Sequence, residues 1–210
     1  MTDEASIKRV RQKFAWDCGL ACLEMCNRKL GREPNAIYEN WNGDSNVSTW
    51  TIELLHLACR LKIAPLIKLY TKTIEQSHKF HCFYWCEKRE TRSRVCELLQ
   101  RYEEHIEVRR LSIGELSAFV KCGRLLIVLV NDHQLTCVEC AGRAKRTVKC
   151  LLRPIFVGHF VVLVDVVDEQ WVRYCDPAVD HEICRTSIER FDRARTASGT
   201  DEDVLVLQTT

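Results

Sequence analysis

The sequence lacks the features that mark secreted, membrane-spanning and nucleic-acid-binding chains. The first ten residues, MTDEASIKRV, have no apolar core behind a basic start and so indicate no secretory signal. The longest apolar runs, Leu125 to Val130 and Phe160 to Val167, are far too short to cross a bilayer. Lysine and arginine are scattered, and a formal net charge of +2 predicts neither nucleic acid nor a membrane as a partner. We therefore expect a cytoplasmic protein that can also be nuclear.

Cysteine, in contrast, is abundant. Thirteen cysteines are present, and in a reducing compartment we expect thiols, metal ligands or core residues rather than disulfides. The chain has 210 residues, of which 46% are hydrophobic and 29% charged, as is usual for a globular protein. Without an internal repeat or an interdomain linker, residues 1–210 are predicted to form one domain.

The order of the predicted elements favours an α+β fold, because helices come first and short strands later. We expect a helical lobe at about residues 12–122 and a mainly antiparallel sheet lobe at about residues 123–210. The helices are predicted at about Asp17–Leu30, Trp50–Leu61, Arg92–Glu104, Ile113–Lys121 and Thr186–Ala197, and the strands at Ile63–Tyr70, Val108–Leu111, Leu125–Val130, Phe160–Val167, Gln170–Cys175 and Asp203–Gln208.

The segment QKFAWDCGLACLEM, from Gln12 to Met25, contains the strongest candidate nucleophile. Cys18 lies at the first turn of the first predicted helix, where backbone N–H groups and the helix dipole favour the thiolate. Asp17 is positioned to cap this helix. Gln12, six residues before Cys18, can fold back and donate to an oxyanion beside the sulfur, with the Cys18 N–H as a second donor.

A histidine and an aspartate are predicted to meet this cysteine. The segment GHFVV places His159 at the start of an apolar strand, and the next strand ends at Asp176. A hairpin turn at Asp168-Glu169 would bring His159 and Asp176 to the same end of the two strands. Cys18 would then be the nucleophile, His159 the base and later the acid, and Asp176 the group that orients the ring. Each residue also has an ordinary alternative, as a core thiol, a rim histidine or a turn aspartate.

These residues resemble two known groups of proteins. In their order along the chain, Gln12, Cys18, His159 and Asp176 are similar to the papain-like cysteine peptidase superfamily, especially the bacteriocin-leader peptidases. The segments WDCGLAC, STWTIEL, VLVN, GHFVVL and ARTASGTDEDVL carry a closer resemblance, which covers nearly the whole chain. It is to the guanylyl cyclase domain-containing protein 1 family, which includes plant proteins described as soluble guanylyl cyclases. It implies a cytosolic papain-like fold, with asparagine commonly present where this chain has Asp176.

The residues favour a thiol hydrolase that cleaves a peptide or amide bond through a thioester. Such an enzyme needs no cofactor, and its expected partner is a peptide or protein substrate. The family resemblance implies an alternative, a guanylyl cyclase that converts GTP to cyclic GMP with Mg²⁺ or Mn²⁺. A third hypothesis is a catalytically silent binding protein that keeps the fold.

The sequence contains few of the residues that a guanylyl cyclase requires. Nucleotide cyclisation requires carboxylates that hold metal ions and cations that neutralise developing charge. The sequence contains no glycine-rich phosphate loop and no well-spaced acidic pair on adjacent strands. The candidates are the carboxylates Asp165, Asp176, Asp201, Glu202 and Asp203 and the cations Lys149, Arg153 and Arg185.

A structural zinc site is a separate hypothesis. Cys137 and Cys140 form a C-x-x-C pair, and Cys150 follows ten residues later. Thiolates at this spacing can hold one face of a tetrahedral Zn²⁺ ion. Ordinary loop thiols are the alternative. The candidates for a fourth ligand are His133, Cys82 and Cys86.

Overall fold

The computed structural model describes residues 7–43, 49–74, 89–140 and 156–208. It confirms the predicted mixed α+β architecture. Among the described residues, no helix has the length and apolar character needed to cross a membrane. In chain order the elements are α1 (Cys18–Lys29), α2 (Ala36–Glu39), α3 (Thr51–Arg60), β1 (Leu66–Thr71), α4 (Arg89–Arg101), a 3-10 turn (Glu103–His105), β2 (Ile106–Val108), α5 (Ile113–Lys121), β3 (Leu125–Asn131), β4 (Gly158–Val167), β5 (Trp171–Cys175), β6 (Cys184–Ser187), α6 (Ile188–Arg195) and β7 (Val204–Gln208).

Local sequence signals account for several helix ends. The chain leaves α1 through Gly31, whose positive φ of 67° is a conformation that glycine adopts without strain. The Ser112 side chain accepts a hydrogen bond from the Glu115 backbone at the start of α5, and Gly123 follows that helix with φ 78°. These helices therefore begin and end close to where the sequence predicts.

Seven strands form one sheet in the order β2-β1-β7-β3-β4-β5-β6. Only the β1–β2 pair is parallel among these neighbours, and the other five pairs are antiparallel. The predicted hairpin between β4 and β5 is present. Its turn residues Asp168 and Glu169 both have positive φ, and the Gln170 backbone N–H donates to the Val167 carbonyl across them at 3.1 Å.

Each face of the sheet has its own apolar core. On β4, Phe160 and Val162 belong to the core shared with α1 and α3, whereas Val161 and Leu163 belong to the core shared with α5 and α6. This alternation follows from the two-residue period of a strand. The uninterrupted apolar run of β4 is therefore a consequence of burial on both faces.

Helix α1 packs directly against β4. The buried Cys22 thiol donates to the Phe160 carbonyl oxygen at 3.2 Å. A Cβ atom on Gly19 would lie 2.6 Å from the Thr49 hydroxyl oxygen and 3.1 Å from the Phe160 ring. The helix can therefore approach this closely because residue 19 has no side chain, and the approach brings its first residue, Cys18, toward the start of β4.

Strand β6 is the main element that the sequence analysis missed. Its residues are CRTS, and only alternate positions are buried, so the segment has no apolar run to reveal it. The sequence predicts β2 at Val108–Leu111, but the strand lies at Ile106–Val108, where it pairs in parallel with β1.

Candidate active site

Three of the four predicted catalytic residues lie at the ends of elements that converge. Cys18 is the first residue of α1, His159 is the second residue of β4, and Asp176 directly follows β5. All three are buried, with exposed fractions of 5 to 6%. Their burial makes each hydrogen bond between them electrostatically stronger than it would be in water.

The register of the hairpin accounts for the contact between His159 and Asp176. Val162 pairs with Cys175, so continuing the register by one pair sets Asp176 opposite Val161. His159 lies two residues before Val161 and thus on the same face, at the diagonal spacing that long side chains can bridge. The His159 Nε2 atom lies 2.8 Å from Asp176 Oδ1. The same Oδ1 accepts a hydrogen bond from the Ala178 backbone N–H at 2.8 Å, which holds the carboxylate in place.

Cys18 is the second group that acts on His159, and its interaction with the ring raises the pKa of His159. Since Nε2 is engaged by Asp176, the nitrogen that remains for the sulfur is Nδ1. Burial of the ring acts to lower the pKa of His159, but the hydrogen bonds and charges of Asp176 and Cys18 outweigh it and raise that pKa well above its usual value. The arrangement therefore favours an imidazolium flanked by a carboxylate and a sulfur.

Asp17 does not cap α1 with its side chain, contrary to the sequence prediction. Its fully buried carboxylate points back along the chain and accepts from the Lys13 and Phe14 backbone N–H groups at 3.0 and 2.9 Å. It also accepts from the Tyr38 hydroxyl at 3.2 Å. Asp17 therefore fixes the loop before the cysteine and leaves the first-turn N–H groups of α1 uncapped by its side chain.

Gln12 lies in the loop that Asp17 fixes. Its backbone N–H donates to the Pro177 carbonyl at 3.0 Å, which ties this loop to the segment that follows Asp176. Its side-chain Nε2 donates to the Phe14 carbonyl at 2.6 Å. An amide nitrogen carries two hydrogens, so this bond orients the group and leaves one donor.

A small cleft opens at Cys18. Its volume is about 60 Å³, far below the several hundred that small-molecule pockets occupy. The Thr49 hydroxyl is buried, and no described atom hydrogen-bonds to it. The charged residues among the described lining are both acidic. The lining comprises Cys18, Thr49, Trp50, Thr51, Leu129, Phe156, Gly158, Phe160, Gly199, Asp201 and Asp203.

The residues considered for a nucleotide site have other partners. Asp165 accepts from the Val166 backbone N–H at 2.7 Å, and Asp203 accepts from the Thr51 hydroxyl at 2.5 Å. Glu202 forms an ion pair with Arg110 at 3.2 Å, and Arg185 pairs with Glu139 at 2.8 Å. Asp176 is engaged by His159, whereas Lys149 and Arg153 lie outside the described residues.

The structure groups the cysteines differently from the sequence prediction. Cys137 and Cys140 lie together as predicted, but the third described cysteine beside them is Cys184, which the sequence analysis did not select. Cys150, Cys82 and Cys86 lie outside the described residues. His133 is exposed and is not part of the group.

Two residues of interest escaped the sequence analysis. Thr49 comes directly before Trp50, the cap residue of α3, whose backbone N–H donates to Glu53 at 2.9 Å. Cys184 lies 44 residues after Cys140, and its relevance depends on β6. Spacing along the chain could reveal neither, because both depend on contacts distant in sequence.

Comparison with known proteins gives both a family and a fold. Residues 7–207 match the family described as guanylylate cyclase. The chain is 27% identical over 207 residues to a protein of Arabidopsis thaliana named Guanylyl cyclase 1, with 96% of this chain and 75% of that protein covered.

Two solved structures that it resembles are described as peptidases. A protein from Bacillus anthracis assigned as a C39-like peptidase aligns with a TM-score of 0.55 and 14% identity over 97% of this chain and 95% of its own. The peptidase domain of Streptococcus ComA aligns with a TM-score of 0.48 and 16% identity over 97% and 99% of the two chains. The similarity to the first structure confirms the predicted papain-like fold class.

Proposed function

The chain belongs to the guanylylate cyclase family, and for this member of it we propose an activity that its site residues support: a papain-like thiol hydrolase with Cys18 as the nucleophile. The observation that carries the proposal is the buried His159–Asp176 hydrogen bond of 2.8 Å beside Cys18, which together with Asp176 raises the pKa of the ring. A thiol at a helix start, a histidine within hydrogen-bond reach and a carboxylate behind it are the parts that acyl transfer through a thioester requires.

The proposed reaction has two halves. The Cys18 sulfur attacks the substrate carbonyl carbon and forms a C–S bond while the C–N bond breaks, and His159 gives its proton to the departing amine. A water molecule then attacks the thioester and transfers a proton to His159, which releases the carboxylic acid and the sulfur. Asp176 keeps the imidazole ring oriented and stabilises its cation in both halves.

Two groups of donors can stabilise the oxyanion that forms in each half. The first-turn N–H groups of α1 lie beside the sulfur, and the Asp17 carboxylate does not occupy them. Gln12 is the proposed side-chain donor, since its amide is oriented by the Phe14 carbonyl and has a second hydrogen.

The cleft favours an extended acyl chain over a bulky ligand. Its volume of about 60 Å³ suits a short side chain or the backbone of a peptide, and its lining is largely apolar. Phe14, in the loop before Cys18, is 57% exposed and stacks on Trp16 with ring centroids 5.5 Å apart. The exposed Phe14 ring, supported by the half-buried Trp16, offers a surface for apolar residues of a peptide or protein substrate.

A peptide-amide assay with matched cysteine variants tests this proposal. The full chain is incubated with a panel of fluorogenic peptide amides, and the same panel is applied to Cys18→Ala and to Cys122→Ser. Cys122 is exposed and serves as the control. We expect hydrolysis by the wild-type chain and the control and none by Cys18→Ala, with an acyl adduct on Cys18 in mass spectra of rapidly quenched reactions. Equal rates for wild type and Cys18→Ala would overturn the proposal.

Guanylyl cyclase activity is the second candidate, because the Arabidopsis relative carries that name. It demands cations around a triphosphate, whereas the charged residues among the described lining of the cleft are acidic. Purified protein with GTP and either Mg²⁺ or Mn²⁺ should then form cyclic GMP at a rate that Cys18→Ala leaves unchanged. Product at the level of a protein-free blank would exclude this activity. If neither assay yields product, the hypothesis of a silent binding protein is favoured.

A further inference from the structure

A cluster of three thiols lies on the other face of the sheet from Cys18. The sulfurs of Cys137, Cys140 and Cys184 all lie within 4.8 Å of one another, and those of Cys140 and Cys184 are 3.6 Å apart. Cys137 and Cys140 pack on the core that contains Cys184, whereas Cys18 belongs to the opposite core. The cluster therefore shares no residue with the proposed catalytic centre and lies across the sheet from its nucleophile.

The spacing of the three sulfurs matches one face of a tetrahedral metal ion. With Zn–S bonds of about 2.3 Å and tetrahedral angles, neighbouring sulfurs lie about 3.8 Å apart. The observed 3.6 Å pair is close to this value, and the 4.8 Å limit lies within a small side-chain adjustment of it. A disulfide would join two of the sulfurs and leave the third unexplained.

Contacts from strand β6 hold the loop that bears Cys137 and Cys140. The Val138 backbone N–H donates to the Arg185 carbonyl at 2.8 Å, and the Arg185 side chain pairs with Glu139 at 2.8 Å. Since Arg185 directly follows Cys184, these two contacts fix the loop sulfurs against the strand sulfur. A ligand set fixed in this way binds a metal with little loss of conformational entropy.

We propose that Cys137, Cys140 and Cys184 bind one zinc ion and thereby join the loop at residues 132–140 to strand β6. Thiolate ligands select soft or borderline metals, and zinc is the common choice for tetrahedral sulfur sites. The described residues offer three ligands at this spacing, and the fourth position belongs to a ligand outside these thiols. Cys137 and Cys140 are half-buried, which gives an ion from solvent access to the cluster.

Metal analysis of the full chain tests the site without any activity assay. Protein purified without chelator and reconstituted with zinc should retain about one ion per chain after gel filtration. Replacement of zinc by cobalt should give the sulfur-to-cobalt charge-transfer absorption of a thiolate site. Cys184→Ser and Cys137→Ser should each weaken zinc binding by at least about tenfold in competition with a chromophoric chelator. The exposed Cys122→Ser variant should bind as the wild type does.

Several results would overturn the proposal. One is retention of less than about a tenth of an ion per chain by the reconstituted wild type. Unchanged affinity in both cluster variants would be another, and so would a Cys140–Cys184 disulfide as the main species in freshly purified protein. Cys184 is buried, so its variant could fail to fold. Cys137 is half-buried, so zinc binding by Cys137→Ser and the cobalt spectrum of the wild type then decide whether these thiols bind the ion.

Discussion

Replacing Asp176 with asparagine separates the charge of this residue from its shape. In the structure Asp176 Oδ1 accepts from His159 Nε2 and from the Ala178 backbone N–H, both at 2.8 Å. The amide oxygen of asparagine can accept both bonds, so the ring keeps its orientation. What the variant loses is the negative charge that helps to hold the pKa of His159 well above its usual value.

The size of the effect follows from the energy of the contact. A hydrogen bond to a charged group contributes about 1.5–3 kcal/mol and a neutral one about 1 kcal/mol. Since one pKa unit corresponds to about 1.36 kcal/mol, the loss of charge should lower the pKa of His159 by about 1 unit.

The direction of the pKa change at His159 can be tested in both activity and stability. Acyl transfer requires a proton on His159 for the leaving amine, so the alkaline limb of kcat/KM should move to lower pH in Asp176→Asn. Because the folded-state pKa of His159 is raised, its stabilising contribution is present below the unfolded value of about 6.5 and is lost as pH rises through the folded value. The free energy of unfolding of Asp176→Asn should therefore fall most, relative to the wild type, at pH values below about 6.5.

NMR titration of the His159 ring and the pH profile of kcat/KM measure the shift independently. The matched control is Asp180→Asn, since Asp180 pairs with Arg11 on the exposed surface. We expect the control to titrate as the wild type does. A His159 pKa in Asp176→Asn that is unchanged, or higher, would refute the role assigned to the carboxylate.

Two further variants probe the cleft and the loop. Thr49→Val removes a buried hydroxyl that forms no hydrogen bond with any described atom. The free energy of unfolding in urea should therefore be unchanged or rise by up to about 1 kcal/mol. If the hydroxyl donates to the substrate, kcat/KM should fall about tenfold. Loss of stability with unchanged kcat/KM would contradict that role. Asp17→Ala removes the carboxylate that holds the Lys13 and Phe14 N–H groups, so the free energy of unfolding should fall by about 1–3 kcal/mol in urea denaturation and kcat/KM should fall with it. A variant as stable and as active as the wild type would show that the loop does not depend on Asp17.

The sequence predicted the elements whose signals are local. Helix α5 has its serine cap and terminal glycine, and β4 has a long apolar run, so both lie close to the predicted residues. The predicted contact between His159 and Asp176 also depends on a local feature, the short hairpin turn at Asp168-Glu169. Once that turn and the strand period are known, the approximate relation of the two side chains follows.

The remaining features depend on contacts that no local pattern encodes. Asp17 occupies the cap position, but its carboxylate hydrogen-bonds Tyr38, 21 residues away, and the preceding loop. The third thiol of the cysteine cluster comes from β6, a polar strand that is defined by its pairing with β5. The burial of the Thr49 hydroxyl depends on the close approach of α1 at Gly19, which is a contact distant in sequence.

The pairing of Cys18 with His159 is the central claim, and the alkylation rate of each cysteine tests it most directly. The chain is treated briefly with iodoacetamide near neutral pH, and the modified peptides are quantified by mass spectrometry. We predict that Cys18, although only 5% exposed, reacts faster than the exposed Cys122, and that His159→Ala removes this excess. A Cys18 that reacts no faster than Cys122, or at the same rate with and without His159, would contradict the account.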